Sequence, residues 1–521
     1  MNKKIISASL AACVTLACAA GCNGGNNSGN GNGAAKGDVK LYTEGMAYTE
    51  SATHEEKEVY SLYYDYLGGA DVMPIGGFYV PYASGGSTDG NAKPDLLTDY
   101  YFDALEKAGI NTLFYSPDRW STGGSNTNVK KALDLCEKYG LGYYVDTFYV
   151  LGQLGSRTEK YPVENMELAT EAGKQKLSQI IDDILDNGTE EGRKCVLGIL
   201  GVDEPFTDQL DNLGVLHDAF YSLENTKGMD VYINSIGYWA GENNFWGYSD
   251  PIGFDDYLQK YFQLVQPAML SVTQYPYTSA NTPETTIVSL LNDMLSVYRK
   301  YANQYKVPFW RMLQAGGQWN DTAEWIPSVD PYPSEGELLY DVNSSLAYGA
   351  KAIEYFPLVQ PYYFAQQEGG TYDFNRCGLI GADGNLTQWY YYAKRANEQV
   401  AAVDEYLMHA MNEGVIVHGD AANDAIVKNG KPGEEIISSG KYYELTGVTG
   451  DDCVVGCFNY KGKTALYVVN YNRKEKAKVT LSFDKKNYRY TVIQRAVEAD
   501  VVGGSIPLTL DAGEGALIVL N

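Results

Sequence analysis

Two carboxylates stand side by side at Asp203 and Glu204, directly before Pro205 and directly after the apolar run CVLGILGV that opens at Cys195. Adjacent carboxyl groups oppose each other's ionisation, so one is held neutral while the other carries charge. That division suits a general acid beside a charged partner. A partly apolar surrounding would push Glu204 further toward the neutral acid, able to protonate a leaving oxygen. The element beneath them is legible. A continuous apolar run bounded by charge reads as a parallel strand buried on both faces. Pro205 cannot donate a ladder hydrogen bond, so pairing should stop there. The two carboxylates therefore stand at the carboxyl end of a central strand, where α/β barrels and open α/β sheets keep their sites. Asp208, just ahead of LDNLGVLHDAF, is placed to cap the next helix, which leaves the earlier pair free of that duty.

The same alternation runs from Val72 to about Met411. Strand-like stretches read VMPIGGFYV, NTLFYS, LGYYVDTFY, CVLGILGV, MDVYINSI, AMLSVTQY, VPFWRMLQA and AKAIEYF. Amphipathic stretches lie between them, among them LTDYYFDALEKAG, NVKKALDLCEKYG, KQKLSQIIDDILDNG, PETTIVSLLNDMLSVYRKYANQY and GELLYDVNSSLAYG. Several end in Gly, a helix stop. The pattern predicts an α/β fold, a (β/α)8 TIM barrel over 72–412. A last helical stretch, QWYYYAKRANEQVAAVDEYLMHAM, precedes a change of texture at Glu413. Short β-patterned runs separated by turn residues then predict an all-β sandwich over 413–521. Residues 38–71 form a lead-in without a clear pattern.

In a barrel the residues that matter are those where strands give way to loops. Here they are Tyr79 and Tyr82, Asp118 and Trp120, Asp146, Asp203 and Glu204, Trp239, Tyr275, Gln314 and Trp319, and Glu354 with Tyr355. Acids, aromatics and amides dominate, with neither lysine nor histidine, a lining for neutral sugars rather than phosphorylated ligands. The chain carries 45 Tyr, whose rings and polar tips suit sugar faces and hydroxyls. A formal net charge of −26 argues against nucleic acid and anionic membrane surfaces as partners. The histidines, His54, His217, His409 and His418, share no ligand spacing, so neither a metal nor another cofactor is expected. Cys136 and Cys195 read as small buried hydrophobes, and Cys453 and Cys457 are close enough in sequence to pair.

The first residues read as a processing segment. Lys3 and Lys4 precede an apolar stretch too short for a membrane span. It ends Ala19-Ala20-Gly21-Cys22, which resembles a bacterial lipoprotein cleavage box with Cys22 as the lipidated residue; Leu10-Ala11-Ala12-Cys13 fits the box better by letter but leaves an apolar region at the short limit. Residues 1–21 would then be the signal peptide and 22–37, rich in Gly and Asn, a flexible tether. The expected location is the bacterial cell envelope, lipid-anchored and facing outward.

The barrel segment resembles retaining glycoside hydrolases of the clan that includes β-galactosidases and cellulases. In that clan an acid/base Glu follows the fourth strand within Asn-Glu-Pro, and Asp203-Glu204-Pro205 matches two of the three letters. YINSIGYWA and SLAYGAKAIEYF are similar to segments of uncharacterised lipoprotein barrels from gut bacteria. The resemblance implies a glycoside hydrolase acting on a neutral oligo- or polysaccharide, with Glu204 as general acid/base. Two departures stand out: Asp203 replaces the clan's Asn, and Gln314 stands where its nucleophilic Glu ends the seventh strand. A two-carboxylate mechanism then needs a partner for Glu204 from another strand. Asp146 is the first choice, ahead of Asp118 and of Glu354, whose alternation with Ile353 and Tyr355 reads as turning it outward to the helix layer. Glu335 and Glu337 are weaker, since Ser334-Glu335-Gly336-Glu337 reads as a capping box. Asp203-Glu204 also resembles the pair of substrate-assisted hexosaminidases, in which the Asp orients the substrate's own acetamido group. A third possibility is a surface glycan-binding lipoprotein that has lost cleavage.

Overall fold

The computed structural model describes residues 59–83, 94–116, 126–147, 168–237, 254–277, 282, 287, 294–317, 332–361, 376–419, 437 and 439–521. All eight predicted barrel strands are present: β1 (Ile75–Phe78), β2 (Thr112–Phe114), β3 (Gly142–Asp146), β4 (Val196–Asp203), β5 (Asp230–Ser235), β6 (Leu270–Thr273), β7 (Phe309–Gln314) and β8 (Ala352–Phe356). They pair in sequence order, every neighbour parallel, and β8 closes on β1. The helices around them include α1 (Asp99–Lys107), α2 (Thr127–Tyr139), α3 (Glu171–Leu185), α4 (Leu210–Tyr221), α5 (Phe254–Leu264), α6 (Met294–Tyr305) and α7 (Glu335–Ala347). The capping box of α7 forms as expected, with the Ser334 N–H donating to Glu337 Oε2 at 2.7 Å. Asp208 does not cap α4. It lies in a 3₁₀ turn, Thr207–Gln209, where Gln209 Oε1 accepts the Phe206 N–H at 2.7 Å instead.

The final helical stretch divides into α8 (Gln388–Ala401) and α9 (Asp404–Met408), and β9 opens at Ala410. The antiparallel region holds β9 (Ala410–His418), β10 (Leu445–Gly450), β11 (Cys453–Tyr460), β12 (Lys463–Asn470), β13 (Ala477–Phe483), β14 (Tyr488–Gln494), β15 (Val497–Gly503), β16 (Ser505–Leu510) and β17 (Gly515–Leu520). A six-stranded sheet, β15-β14-β17-β12-β11-β9, faces a three-stranded one, β10-β13-β16. Ile416, Val455, Leu466 and Ile518 of the first meet Val479, Leu481, Ile506 and Leu508 of the second in one apolar core. The sequence pattern missed β15 and β16. β15 is an exposed, charged edge strand and β16 alternates around a proline. Cys453 and Cys457 are buried thiols that form no disulfide with each other, and Cys136, Cys195 and Cys377 are likewise buried and outside any disulfide.

Strand alternation sorts each barrel side chain to the lumen or to the helix layer. Phe78, Phe114, Tyr144, Leu200, Tyr232, Trp310, Met312 and Ala352 fill the lumen. In β4 the pairing with β5 slips between Leu200 and Val202. Gly201 sits at that slip, where a Cβ would stand 2.7 Å from Val231 Cγ1. The bulge inserts one residue, so Leu200 and Asp203 share the lumenal face while Val202 packs outward. The lead-in has a structural role. Tyr64, just before a 3₁₀ turn at Asp65–Leu67, enters the barrel floor. There its hydroxyl meets that of Tyr144 and donates to Asp230 Oδ2 at 3.2 Å.

Candidate active site at the carboxyl end of the barrel

Glu204 is the first residue past β4 and is half-buried, while Asp203 beside it is exposed. Its backbone sits at φ 51°, in the left-handed region. Tyr79, just past β1, and Tyr115, just past β2, are in the same region at φ 66° and 55°. For side chains of this size that conformation costs on the order of 1–3 kcal/mol each and clusters at functional sites. All three lie at the carboxyl ends of barrel strands, where the chain leaves the sheet.

Hydrogen bonds hold the Glu204 turn in place. The Glu204 N–H donates to the Asn234 carbonyl at 2.8 Å. Asn234 Nδ2 donates to Asp203 Oδ1 at 2.9 Å and to Thr273 Oγ1 at 2.6 Å. Tyr257, from α5, donates to the Pro205 carbonyl at 2.8 Å. Asn234 thus fixes both carboxylate residues, one through its side chain and one through its backbone.

An arc of half-buried rings lines the same rim. Tyr115 meets Tyr79 edge-on with centroids 5.1 Å apart, Tyr79 meets Phe356 at 5.6 Å, and Phe356 stacks on Tyr275 at 5.4 Å. Burial raises the Tyr275 hydroxyl pKa well above the ordinary tyrosine value, and the nearby charges of Glu204 and then Asp203 add to it. The carboxylate pair and the aromatic arc therefore belong to one mouth. Faces of sugar rings pack on such surfaces, and carboxylates accept their hydroxyls.

The remaining candidates separate clearly. Asp146 ends β3 on the lumenal face, level with Leu200 and 1% exposed. Gln314 is committed to backbone: Oε1 accepts the Tyr277 N–H, and Nε2 donates to the Tyr277 and Gly316 carbonyls. Tyr355 points away from the mouth into the helix layer, where its hydroxyl donates to Asn397 of α8 at 2.7 Å. Glu354 takes the opposite face. The expected outward turn is corrected here, because β8 places Ala352, Glu354 and Phe356 on the lumenal side. Asp118, Trp120, Trp239, Trp319 and Cys22 lie outside the described residues.

Glu354 is 1% exposed and one layer below the rim. It accepts from Tyr232, and its Oε1 lies 3.3 Å from Ser271 Oγ. Burial raises its pKa to about 8, although both hydroxyls and the more distant Arg311 work against that rise. Sequence reasoning missed Asn234, Ser271 and Tyr115. The first two sit within runs read only as strand, and the alternation that aims them inward depends on register between strands.

No family model matches the chain, and no curated protein matches it. Among solved structures it is similar to an endo-β-1,4-mannanase from Thermotoga petrophila, at 9% identity and a TM-score of 0.42, covering 85% of this chain and 92% of that one. It is also similar to a GH42 β-galactosidase from G. stearothermophilus, at 11% identity and a TM-score of 0.49, covering 86% and 98%. A GH51 arabinofuranosidase from Xanthomonas axonopodis pv. citri is similar at 12% identity and a TM-score of 0.41, covering 86% and 96%. The barrel itself rests on the closed pairing of β1 through β8 in this chain.

Proposed function

We propose that the protein hydrolyses a glycosidic bond in a neutral oligo- or polysaccharide, with Glu204 as the general acid/base. The observation that carries this reading is the mouth itself: Glu204 held in a left-handed turn past β4, with Asp203 beside it and Tyr275 close by in the aromatic arc. A half-buried carboxyl beside an exposed one divides the roles, with Glu204 protonating the leaving oxygen. Asp146, on the neighbouring strand, is the partner in a two-carboxylate mechanism. Such a pair works at about 5–5.5 Å for retention or ~6.5–9.5 Å for inversion. The test is product analysis on a panel of plant, host and microbial glycans. Glu204→Gln should lower kcat/KM by about 10²–10⁴, with ligand affinity kept within about tenfold, or ~1.4 kcal/mol. Full turnover by that variant on a confirmed substrate overturns the assignment.

A second reading has its own support. Gln314 is occupied by backbone, and Asp203 stands directly beside Glu204 under the hold of Asn234. In a substrate-assisted route Asp203 orients a 2-acetamido group, which attacks in place of a protein carboxylate. Activity confined to N-acetylated substrates, lost in Asp203→Asn, would select this route. Binding without product from any glycan would instead make the protein a surface glycan binder, with Trp120→Ala or Trp319→Ala carrying the loss of affinity. For its location we propose the lipid-anchored envelope reading. Cys22→Ala should release the protein from membranes, and full retention would remove the anchor.

A further inference from the structure

Beneath the mouth, one polar chain crosses the barrel lumen from β8 to β4. Ser271 Oγ is its junction: it lies 3.3 Å from Glu354 Oε1, 2.9 Å from Tyr232 Oη and 3.3 Å from Asn234 Oδ1. Asn234 then reaches Asp203 through Nδ2 and Glu204 through its backbone carbonyl. We propose that Glu354 is a positioning residue, acting as a hydrogen-bond donor into this chain to hold Asn234, and through it the Asp203–Glu204 pair, in working orientation. The inference rests on the glycosidase reading for what that orientation accomplishes.

Counting protons shows why the donor matters. Ser271 and Tyr232 each have one hydroxyl proton, and Asn234 Oδ1 needs a donor while Nδ2 serves Asp203 and Thr273. If Glu354 is ionised it accepts from both hydroxyls, and the Ser271 proton is drawn away from Asn234. If Glu354 is neutral it donates to Ser271, whose own proton is then free for Asn234 Oδ1. Only the neutral form lets Ser271 donate to Asn234 Oδ1 while a proton still bridges Glu354 and Ser271. No new bond is made or broken, and the proton stays on Glu354.

The surroundings favour that form. Glu354 is 1% exposed, and its burial raises its pKa to about 8 even though the Tyr232 and Ser271 hydroxyls work against that rise. Facing it are Tyr232 from β5, Ser271 from β6, Asp203 from β4, Tyr144 from β3 and, at longer range, Arg311 from β7. The Asp203 charge also opposes ionisation of Glu354, while Arg311 favours it. Ionisation of Glu354 would in turn place a second negative charge below Asp203.

Three measurements on the full chain test this. The infrared carbonyl band of a neutral buried carboxylic acid should be present at pH 7, fade with a midpoint near 8 and be missing from Glu354→Gln. Its absence from the wild type overturns the inference, with no substrate involved. A crystal structure of Glu354→Leu should show the Asn234–Asp203 hydrogen bond broken, and an intact bond overturns the inference. On a confirmed substrate, Glu354→Leu should lower kcat at least tenfold with KM within threefold, and Glu354→Gln, which keeps a donor, should recover most of that loss. Equal losses in the two variants overturn the positioning role. Absence of any glycan turnover, with the band and the broken bond both observed, defeats the glycosidase reading and leaves the chain from Glu354 to Asp203 standing.

Discussion

Gln314 closes its amide on the backbone of one residue, Tyr277, accepting its N–H at 3.0 Å and donating to its carbonyl at 2.7 Å. A third contact, to the Gly316 carbonyl at 3.0 Å, uses the other amide proton. The side chain ties the chain beyond β6 to the end of β7, so its polar groups are already spent. Gln314→Ala should destabilise the fold by about 1–3 kcal/mol, since it orphans buried backbone groups. Gln314→Glu should also lower the melting temperature, because a carboxylate oxygen would then face two carbonyls. A melting temperature unchanged in both variants would contradict this role.

Asn234 offers a separate handle on the mouth. Asn234→Ala removes the donor to Asp203 and Thr273 but leaves the backbone bond to Glu204 intact. The expected result is a kcat reduced at least tenfold on a confirmed substrate, with stability lowered by about 1–3 kcal/mol. Measuring kcat and KM separately alongside thermal unfolding distinguishes misplacement of the pair from general loosening.

Arg311 and Asp341 form an ion pair at 3.0 Å between β7 and α7, with both side chains fully buried. Burial raises the Asp341 pKa to about 6 despite the opposing guanidinium. Asp341→Ala leaves an unpaired buried charge and should cost about 3–5 kcal/mol, whereas Arg311→Met combined with Asp341→Leu should recover most of that loss. Denaturation of the two variants checks the ordering. A double variant less stable than the single one would contradict it.

Lys351 precedes β8 and donates through Nζ to the carbonyls of Leu407 and Ala410. Burial lowers its pKa to about 7. The folded state therefore releases this proton before the unfolded chain does, and the unfolded chain binds more protons between about 7 and the ordinary lysine value of ~10.4. Stability from this group should rise with pH across that window, by at most about 1.4 kcal/mol per pH unit. Lys351→Met should remove that slope, as read from unfolding measurements at successive pH values. An unchanged slope would show that the lysine remains charged in the folded state.

The strands of the barrel were legible as apolar runs between helical stretches, and five of the eight, β3 to β7, end in a polar residue, as in CVLGILGVDEP. The place of Glu204 just past β4 was legible for the same reason. Facing direction was not, where register decides it. Glu354 reads as outward from its neighbours, yet pairing of β8 with β1 and β7 turns it into the lumen and sends Tyr355 to the helices. The bulge at Gly201 is likewise invisible in the letters, although it is what brings Asp203 to the lumenal face. Asn234 lay inside a run whose only visible property was strand propensity.

Tyr64 carries a consequence for the order in which the molecule can be completed. Its seat is made by Tyr144 of β3 and Asp230 of β5, and Tyr221 of α4 holds the same aspartate at 2.6 Å. None of these has been synthesised when Tyr64 leaves the ribosome, so the segment must wait while strands made much later assemble beneath it. The cork is made before the bottle. A chain begun at Val72 would keep every barrel strand and still have an open floor, with the hydroxyl of Tyr144 and the carboxylate of Asp230 deprived of their plug.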